Sequence, residues 1–188
     1  MKELWHGSHT FFKEFDKKYI TELGFHFASN LKTLDDFNIE SKKPFYKYKC
    51  IIDISNPYDK VIDPRRWDTF RGLKKSGLLD PLIKIGRYTY EDGELLFNNI
   101  ILEDWDKNKE ISSDLRKVWN DVIKFLEYYK FDSIVYNNKY EGNNENLLVE
   151  KDKSYIVWDT NLIKNIELYE TLPSKIQSFK DILNNKDK

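Results

Sequence analysis

Apolar and polar residues follow two spacings along this chain, one typical of helices and one typical of strands. The clearest helix is predicted in "SSDLRKVWNDVIKFLEYYK", where apolar residues follow the i, i+3, i+4, i+7 pattern and Ser113 can cap the first turn. Phenylalanines at helical spacing predict another helix over residues 8–20, "SHTFFKEFDKKYI". Shorter helices are predicted in "NLKTLDDF" and in "DPRRWDTFRGLKKSG", the second with Asp63 as N-cap, Pro64 at the first helical position and Gly77 at its end.

Four segments rich in β-branched and aromatic residues predict strands, namely "ELGFHFAS", "KYKCIIDIS", "SIVYNN" and "SYIVWD". The first part of the chain is predicted to contain both helices and strands, and the last part to contain strands. This order favours an α+β fold over repeated βαβ units. No repeat or Gly/Ser-rich linker divides the chain, so we expect one domain over residues 1–182 and a frayed tail over residues 183–188. Trp67, Trp119 and Trp158 are expected in the core.

The charge balance and the single cysteine narrow the class of protein. The chain has 31 Lys and Arg residues and 32 Asp and Glu residues, so its net charge is close to zero. Proteins that bind nucleic acid nonspecifically are typically strongly basic, and this chain is not. Cys50 has no second cysteine to pair with and is predicted to be a small buried thiol in a strand. No stretch resembles a signal peptide and no apolar run approaches ~20 residues, so we expect a cytoplasmic protein, in the producing or the target cell, with no membrane partner.

All three histidines, His6, His9 and His26, lie near the start of the chain. There is no P-loop, GxGxxG, HExxH or GxSxG motif, and three histidines without matching cysteines predict no metal site. His6 and His26 lie in "LWHGS" and "GFHFAS", each beside an aromatic residue. Structural interpretations stay open for both: a partly buried His6 that hydrogen-bonds a backbone group, and a half-exposed His26 between two core phenylalanines.

In order along the chain, "LWHGS", "GFHFAS" and "SYIVWD" resemble the three signature segments of ADP-ribosyltransferases of the poly(ADP-ribose) polymerase type. Family members carry His-Gly-Ser or His-Gly-Thr in the first segment, Gly-x-Tyr-Phe-Ala in the second and Glu-Tyr-x-Val-Tyr in the third. "ISNPYD" and "FDSIVYNNKYEG" are similar to a bacterial or phage branch. The resemblance implies a split sandwich of two mostly antiparallel sheets with flanking helices, and NAD+ as co-substrate in the cleft between them.

The resemblance also implies roles for individual residues. His6 would hydrogen-bond the adenine-side ribose, the backbone of Gly7 would bind the nicotinamide amide, and Ser8 would support this segment. His26 takes the place of a family tyrosine that packs on the nicotinamide ring, and Phe27 beside it would also belong to the NAD+ site.

Two further positions depart from the family pattern or extend it. Phe37 would be the second aromatic residue that sandwiches the nicotinamide ring. The family's hydroxyl contact to the amide falls at Leu34, so this contact is missing unless Thr33 replaces it.

The catalytic acid is where the chain departs most from the polymerase-type pattern. Ser154 stands where those members carry the catalytic glutamate, so it would line the NAD+ site but could not promote chain elongation. The bacterial and phage-like branch places its acid in an Asn-x-x-Glu-Gly loop, which nominates Glu141, with His6 as its catalytic partner. Glu145 and Glu150 are the alternatives in the same segment.

The sequence therefore predicts an NAD+-dependent mono-ADP-ribosyltransferase that modifies a cellular macromolecule, protein or nucleic acid. The family branch suggests a toxin or phage-conflict effector, with an antitoxin or immunity protein as a further partner. Three alternatives stay open: an NAD+ glycohydrolase, a degenerate module that binds NAD+ or ADP-ribose, and a structural interaction module.

Overall fold

A computed structural model describes residues 1–20, 22–34, 43–62, 66–137 and 153–173. Its strands are β1 (Lys2–Ser8), β2 (Phe25–Ala28), β3 (Phe45–Ile52), β4 (Pro57–Tyr58), β5 (Thr89–Glu91), β6 (Glu94–Phe97), β7 (Ile100–Ile101), β8 (Ser133–Asn137), β9 (Lys153–Val157) and β10 (Ile163–Leu172). Its α-helices are α1 (Phe70–Lys75), α2 (Asp80–Lys84) and α3 (Ser113–Tyr128). Short 3-10 turns are formed by Lys17–Tyr19, Leu31–Leu34 and Thr160–Leu162.

The strands divide into a large sheet and a small one. The large sheet has seven strands in the order β10-β3-β1-β2-β9-β8-β4, antiparallel except for the parallel pair β4 and β8. The small sheet is antiparallel, in the order β5-β6-β7. A mixed sheet, a small antiparallel sheet and few helices confirm the predicted α+β class.

Pairing within the large sheet is weakest between β1 and β2. Every residue of β1 pairs with β3, and every residue of β2 pairs with β9. Between β1 and β2, Trp5 opposite Ala28 is the one paired position in the described part of the chain. We call this single pair, with the unpaired strand edges that lead away from it, the β1–β2 seam. It divides the sheet into the groups β10-β3-β1 and β2-β9-β8-β4.

Apolar cores lie on both faces of the second strand group. Successive residues of a strand point to opposite faces, and β9 follows this rule. Ile156 belongs to a core that packs α1, α2, α3 and the small sheet against β8 and β9. Tyr155 and Val157 belong to a second core, shared with β1, β3 and the start of β10. The predicted burial of Trp67, Trp119, Trp158 and Cys50 is confirmed, since none of them is more than 6% exposed.

Helix α3 and the strands β2, β3, β8 and β9 lie where the sequence predicts them. The N-cap of α3 is a correction: the hydroxyl of Ser112, not Ser113, accepts a hydrogen bond from the backbone N–H of Leu115 over 3.0 Å. The Ser112 hydroxyl also donates to the carbonyl of Glu103, which fixes the entry of the chain into the helix.

The predicted helix over residues 8–20 is wrong. Ser8 still belongs to β1, opposite Tyr46, and the only helical residues in this stretch form the 3-10 turn Lys17–Tyr19. The backbone N–H of Phe12 donates to the hydroxyl of Tyr48 over 2.9 Å instead of to a helical carbonyl. Tertiary contacts of the phenylalanines therefore override the local helical spacing.

Two other predicted helices are shorter than expected. Leu31–Leu34 is a 3-10 turn, and residues 35–42 lie outside the described residues. Helix α1 begins at Phe70 with Thr69 as its N-cap, because the Thr69 hydroxyl accepts from Gly72 N–H over 3.0 Å. Gly77 follows the end of α1 at φ 80, as predicted for a helix stop.

Asp63 and Pro64, predicted at the start of that helix, lie outside the described residues, as does the tail over residues 183–188. None of the described helices is both long and apolar enough to span a bilayer.

Candidate functional site

A cleft of about 490 Å³ opens at the β1–β2 seam. His6 and Ser8 of β1 line one wall, and Gly24, Phe25 and His26 line the opposite wall. Aromatic residues from the connection between the two strands cover it. The fold thus brings three of the predicted site residues, from two separate segments, to one cleft. The side chains of His6 and His26 project from opposite faces of the sheet, since the His6 ring packs against Phe27 and the His26 ring lies near Trp67.

His6 is a neutral imidazole that spans the seam. Its Nδ1 atom donates a hydrogen bond to the backbone carbonyl of His26 over 2.7 Å. Burial, opposed in part by that hydrogen bond, lowers the pKa of His6 to about 4. With the proton on Nδ1, Nε2 is an acceptor, and none of the described residues donates a hydrogen bond to it. The cleft wall therefore offers an acceptor suited to a hydroxyl donor.

Ser8 turns the chain out of β1. Its hydroxyl donates to the carbonyl of Thr10 over 2.9 Å and accepts from the N–H of Thr10 over 3.0 Å. The serine thus closes a local turn at the cleft rim. The supporting role of Ser8 in an NAD+ site stays a prediction.

Gly7 is required by packing on the side of β1 that faces away from His6. A Cβ atom at this position would collide with the ring of Phe45, which is 2% exposed. Gly7 pairs with Lys47 of β3 but has no ladder partner in β2. Its backbone therefore lies at an edge of the seam, where a peptide-like amide could bind as an added strand would.

His26 lies between a carboxylate and a phenol. Its Nε2 atom is 3.4 Å from Oε2 of Glu22, and its Nδ1 atom is 3.3 Å from the hydroxyl oxygen of Tyr136. Glu22 has a φ of 76, in the left-handed region that residues other than glycine rarely adopt. Both ring nitrogens of His26 thus have oxygen partners, which fixes the plane of the imidazole.

Trp67 packs beside this group. Its ring centroid lies 5.2 Å from that of Tyr136 and 6.1 Å from that of His26. The indole N–H of Trp67 is buried and has no hydrogen-bond partner among the described residues. A buried donor without a partner costs free energy, so a group of this kind indicates a candidate functional position.

Phe27 and Ser154 are both buried, on opposite faces of the sheet. Phe27 is 1% exposed, and its ring packs against that of His6 at 5.5 Å. Ser154 is 3% exposed and lies opposite Ala28 in β2 and Tyr136 in β8, so it shares a face with Tyr136 and not with Phe27. Their roles in an NAD+ site stay predictions.

Four of the predicted site residues lie outside the part of the chain that the structure describes. Phe37, Glu141, Glu145 and Glu150 lie outside the described residues, so their roles stay predictions. Leu34 is 4% exposed and packs with Ala28 and Phe45 rather than toward the cleft.

Sequence reasoning missed the residues that surround the two histidines. Phe12 and Phe15 pack edge-on against the His6 ring, with centroids 5.6 and 5.0 Å away, and both line the cleft. The signal was their position directly after the His-Gly-Ser segment, but their helical spacing hid it. Glu22 and Tyr136 lie in segments that are predicted to be strands. Their carboxylate and hydroxyl groups were a signal, because an apolar core offers such polar groups no hydrogen-bond partner.

Within the described residues, no group of three or more His, Cys, Asp or Glu side chains could hold a metal ion. Comparisons of the chain with protein family models, curated proteins and solved structures found no match.

Proposed function

We propose that this protein is an NAD+-dependent mono-ADP-ribosyltransferase that modifies a protein or a nucleic acid. The observation that carries the proposal is the convergence of the resembling segments. His6 and His26 come from the first two segments and line one cleft, while Ser154 of the third segment lies opposite Ala28 on the next strand. Three short segments that are far apart in sequence thus meet at one place.

The arrangement of strands supports the proposed split sandwich. The groups β10-β3-β1 and β2-β9-β8-β4 are joined through the single pair Trp5–Ala28, and the cleft lies where they stop pairing. Two strand groups around an open seam are what an ADP-ribosyltransferase fold requires for a dinucleotide.

The chemical groups of the cleft fit the substrate. The backbone of Gly7 at the seam suits the nicotinamide amide, and Nε2 of His6 can accept a hydrogen bond from a ribose hydroxyl. The resemblance assigns the nicotinamide ring to the imidazole of His26, which projects from the face of β2 opposite to Phe27 and lies beside Trp67 and Tyr136. Fixing the amide, the ring and the ribose in one geometry is the larger part of what such a reaction needs.

The remaining need is a negative charge near the ribose, where positive charge develops in the transition state. Ser154 supplies no carboxylate, which favours transfer of a single ADP-ribose over chain elongation. We assign the charge to Glu141, in the segment between Asn137 and Lys153, which are themselves paired at the ends of β8 and β9. Action as a toxin or conflict effector in the cytoplasm, with an antitoxin partner, belongs to the same proposal.

The test uses the full chain, radiolabelled NAD+ and a cell lysate, followed by digestion with protease or nuclease. Variants His6→Ala and Glu141→Gln should abolish labelling. His9→Ala is the matched control, because His9 is an exposed histidine on the same segment and does not line the cleft. Label removed by only one digestion identifies the acceptor class.

A second candidate is favoured by Ser154, since loss of the family carboxylate suits a module that binds NAD+ or ADP-ribose without chemistry. Intact NAD+ with measurable binding would establish that candidate, and free ADP-ribose without labelled macromolecule would establish a glycohydrolase. If NAD+ is neither bound nor consumed, the proposal is wrong.

A further inference from the structure

We propose that Glu22, His26 and Tyr136 form a proton relay that removes the proton of the attacking nucleophile during ADP-ribose transfer. The inference rests on the proposed function and adds a base to it. Tyr136 and His26 act on the proton, and Glu22 is a positioning residue.

His26 has an oxygen partner at each ring nitrogen. Nε2 of His26 lies at an ion-pair distance of 3.4 Å from Oε2 of Glu22, and Nδ1 lies 3.3 Å from the hydroxyl oxygen of Tyr136. With the proton of the neutral imidazole on Nε2, Nδ1 accepts from the Tyr136 hydroxyl. A carboxylate, an imidazole and a hydroxyl in this sequence form the arrangement by which enzymes activate an O–H group.

The relay lies beside Ser154. In β9, Ser154 lies opposite Ala28 of β2 and opposite Tyr136 of β8. His26 lies two residues before Ala28, so its side chain projects from the same face of β2. The relay thus adjoins the position at which the family resemblance expects a glutamate and this chain has none.

Two features around the relay cost free energy. Glu22 is held at a φ of 76, an arrangement that costs free energy for a residue other than glycine. The buried indole N–H of Trp67 beside Tyr136 lacks a partner among the described residues. Two unfavourable features around one hydrogen-bonded group are typical of a functional site rather than of a packed core.

In the proposed step, one bond to ribose C1 breaks and another forms. The bond between ribose C1 and the nicotinamide nitrogen breaks, and its electron pair leaves on nicotinamide. A lone pair of the acceptor forms the new bond to C1. The acceptor's proton passes to the Tyr136 oxygen as the phenol proton passes to Nδ1 of His26, and the relay later releases one proton to water.

The experiment compares NAD+ affinity, measured by calorimetry, with the rate of label transfer to the acceptor. Tyr136→Phe keeps the ring against Trp67 and removes only the hydroxyl. We expect its NAD+ affinity to stay within about twofold of wild type and its transfer rate to fall on the order of 100-fold, the size of a general-base contribution. Tyr129→Phe, at the exposed end of α3, is the matched control and should transfer at the wild-type rate.

Two further variants separate chemistry from structure. His26→Ala should lose transfer and regain part of it when imidazole is added, a rescue that a purely structural role would not give. Glu22→Gln should lose about tenfold, because it only orients and stabilises the imidazole. If His26→Ala does not fold, as judged by circular dichroism, Tyr136→Phe decides the question alone.

Transfer at the wild-type rate by Tyr136→Phe would overturn the relay and leave the transferase proposal intact. A fall in NAD+ affinity that matches the fall in transfer would also overturn it, because the hydroxyl would then serve binding. If wild-type protein neither binds nor consumes NAD+, the proposed function fails first and the relay fails with it.

Discussion

The Nδ1 atom of His6 lies 2.7 Å from the backbone carbonyl oxygen of His26, where a side chain takes the place of a strand hydrogen bond. If the antiparallel register of Trp5 and Ala28 continued, Gly7 would lie opposite His26. The His6 imidazole instead satisfies this carbonyl, as buried backbone groups require. The two strands can therefore stay apart without leaving the carbonyl unpaired.

Protonation of His6 should destabilise the fold. Its pKa is lowered from 6.5 to about 4, so between these values the unfolded chain binds a proton that the folded chain does not. The contribution to stability is complete above pH 6.5 and is lost as the pH falls toward 4. Between about pH 7 and about pH 5 we expect the free energy of unfolding to fall by about 2 kcal/mol on account of this group.

Urea unfolding of wild type and His6→Gln at both pH values tests this expectation. The variant should lose less stability on acidification than wild type does. His9→Gln is the control and should follow wild type, whereas equal losses in all three proteins would contradict the prediction.

Gly7→Ala should destabilise the protein because the new methyl group meets the ring of Phe45. Overpacking of this kind costs about 1–3 kcal/mol. Phe45→Leu alone leaves a gap, but in the double variant the smaller side chain makes room for the methyl group. Chemical denaturation of the four proteins should give a favourable coupling energy, and simple additivity would argue against this contact.

Ser112→Ala should lower the free energy of unfolding by about 1–2 kcal/mol, because it removes the N-cap of α3. Ser113→Ala is the matched control, since Ser113 is exposed in the first turn and alanine favours helices. We expect that control to change stability by less than about 0.5 kcal/mol. Thermal unfolding of both variants measures the difference, and a larger loss in Ser113→Ala would reassign the cap.

Asp132→Asn should loosen the turn that precedes β4. Burial alone would raise the pKa of Asp132, but hydrogen bonds from the Ser55 and Asn56 amides and from the Ser55 and Ser133 hydroxyls outweigh it, and the pKa is lowered from 3.8. The carboxylate thus stabilises the fold above pH 3.8 and loses this effect as the pH falls below it.

We expect Asp132→Asn to cost about 1–3 kcal/mol at neutral pH. The gap between wild type and variant should narrow in acid below pH 3.8, where the wild-type carboxyl also becomes neutral. Denaturant titrations over this range provide the measurement. A gap that is independent of pH would mean that charge is not the source of the stability.

The spacing of apolar residues correctly predicted those elements whose apolar side chains all pack on one side of the element. Helix α3 buries Leu115, Val118, Trp119, Val122 and Leu126, the apolar stripe read from the sequence. The same logic failed for residues 8–20, because the side chains of Phe12 and Phe15 turn toward His6 rather than toward a common helix face.

The small sheet was not predicted from the sequence, although the residues of its turns are typical of hairpins. Asp92 and Gly93, both with positive φ, join β5 to β6, and Asn98 and Asn99, also both positive, join β6 to β7. Pairs of this kind are typical of tight hairpins. The strands themselves are too short for their alternation to stand out.

The candidate site was predictable only in part for a similar reason. His6 and His26 stand out because histidines are few and lie in short aromatic segments. The partner of His26, Tyr136, lies 110 positions away, and no local pattern links residues at that separation. Pairing of β2 with β9 and of β9 with β8 is what brings them together.

The single pair of Trp5 and Ala28 at the β1–β2 seam has a consequence for how a large molecule could enter. Widening the cleft breaks one bridge and the His6 hydrogen bond and loosens the apolar core that the two strand groups share, while the ladders on either side remain closed. Such local opening requires only a fraction of the global unfolding free energy. In amide hydrogen exchange, the backbone protons along the β1–β2 seam should therefore exchange before those inside either strand group. The protein would then open locally at the place where it is proposed to bind NAD+.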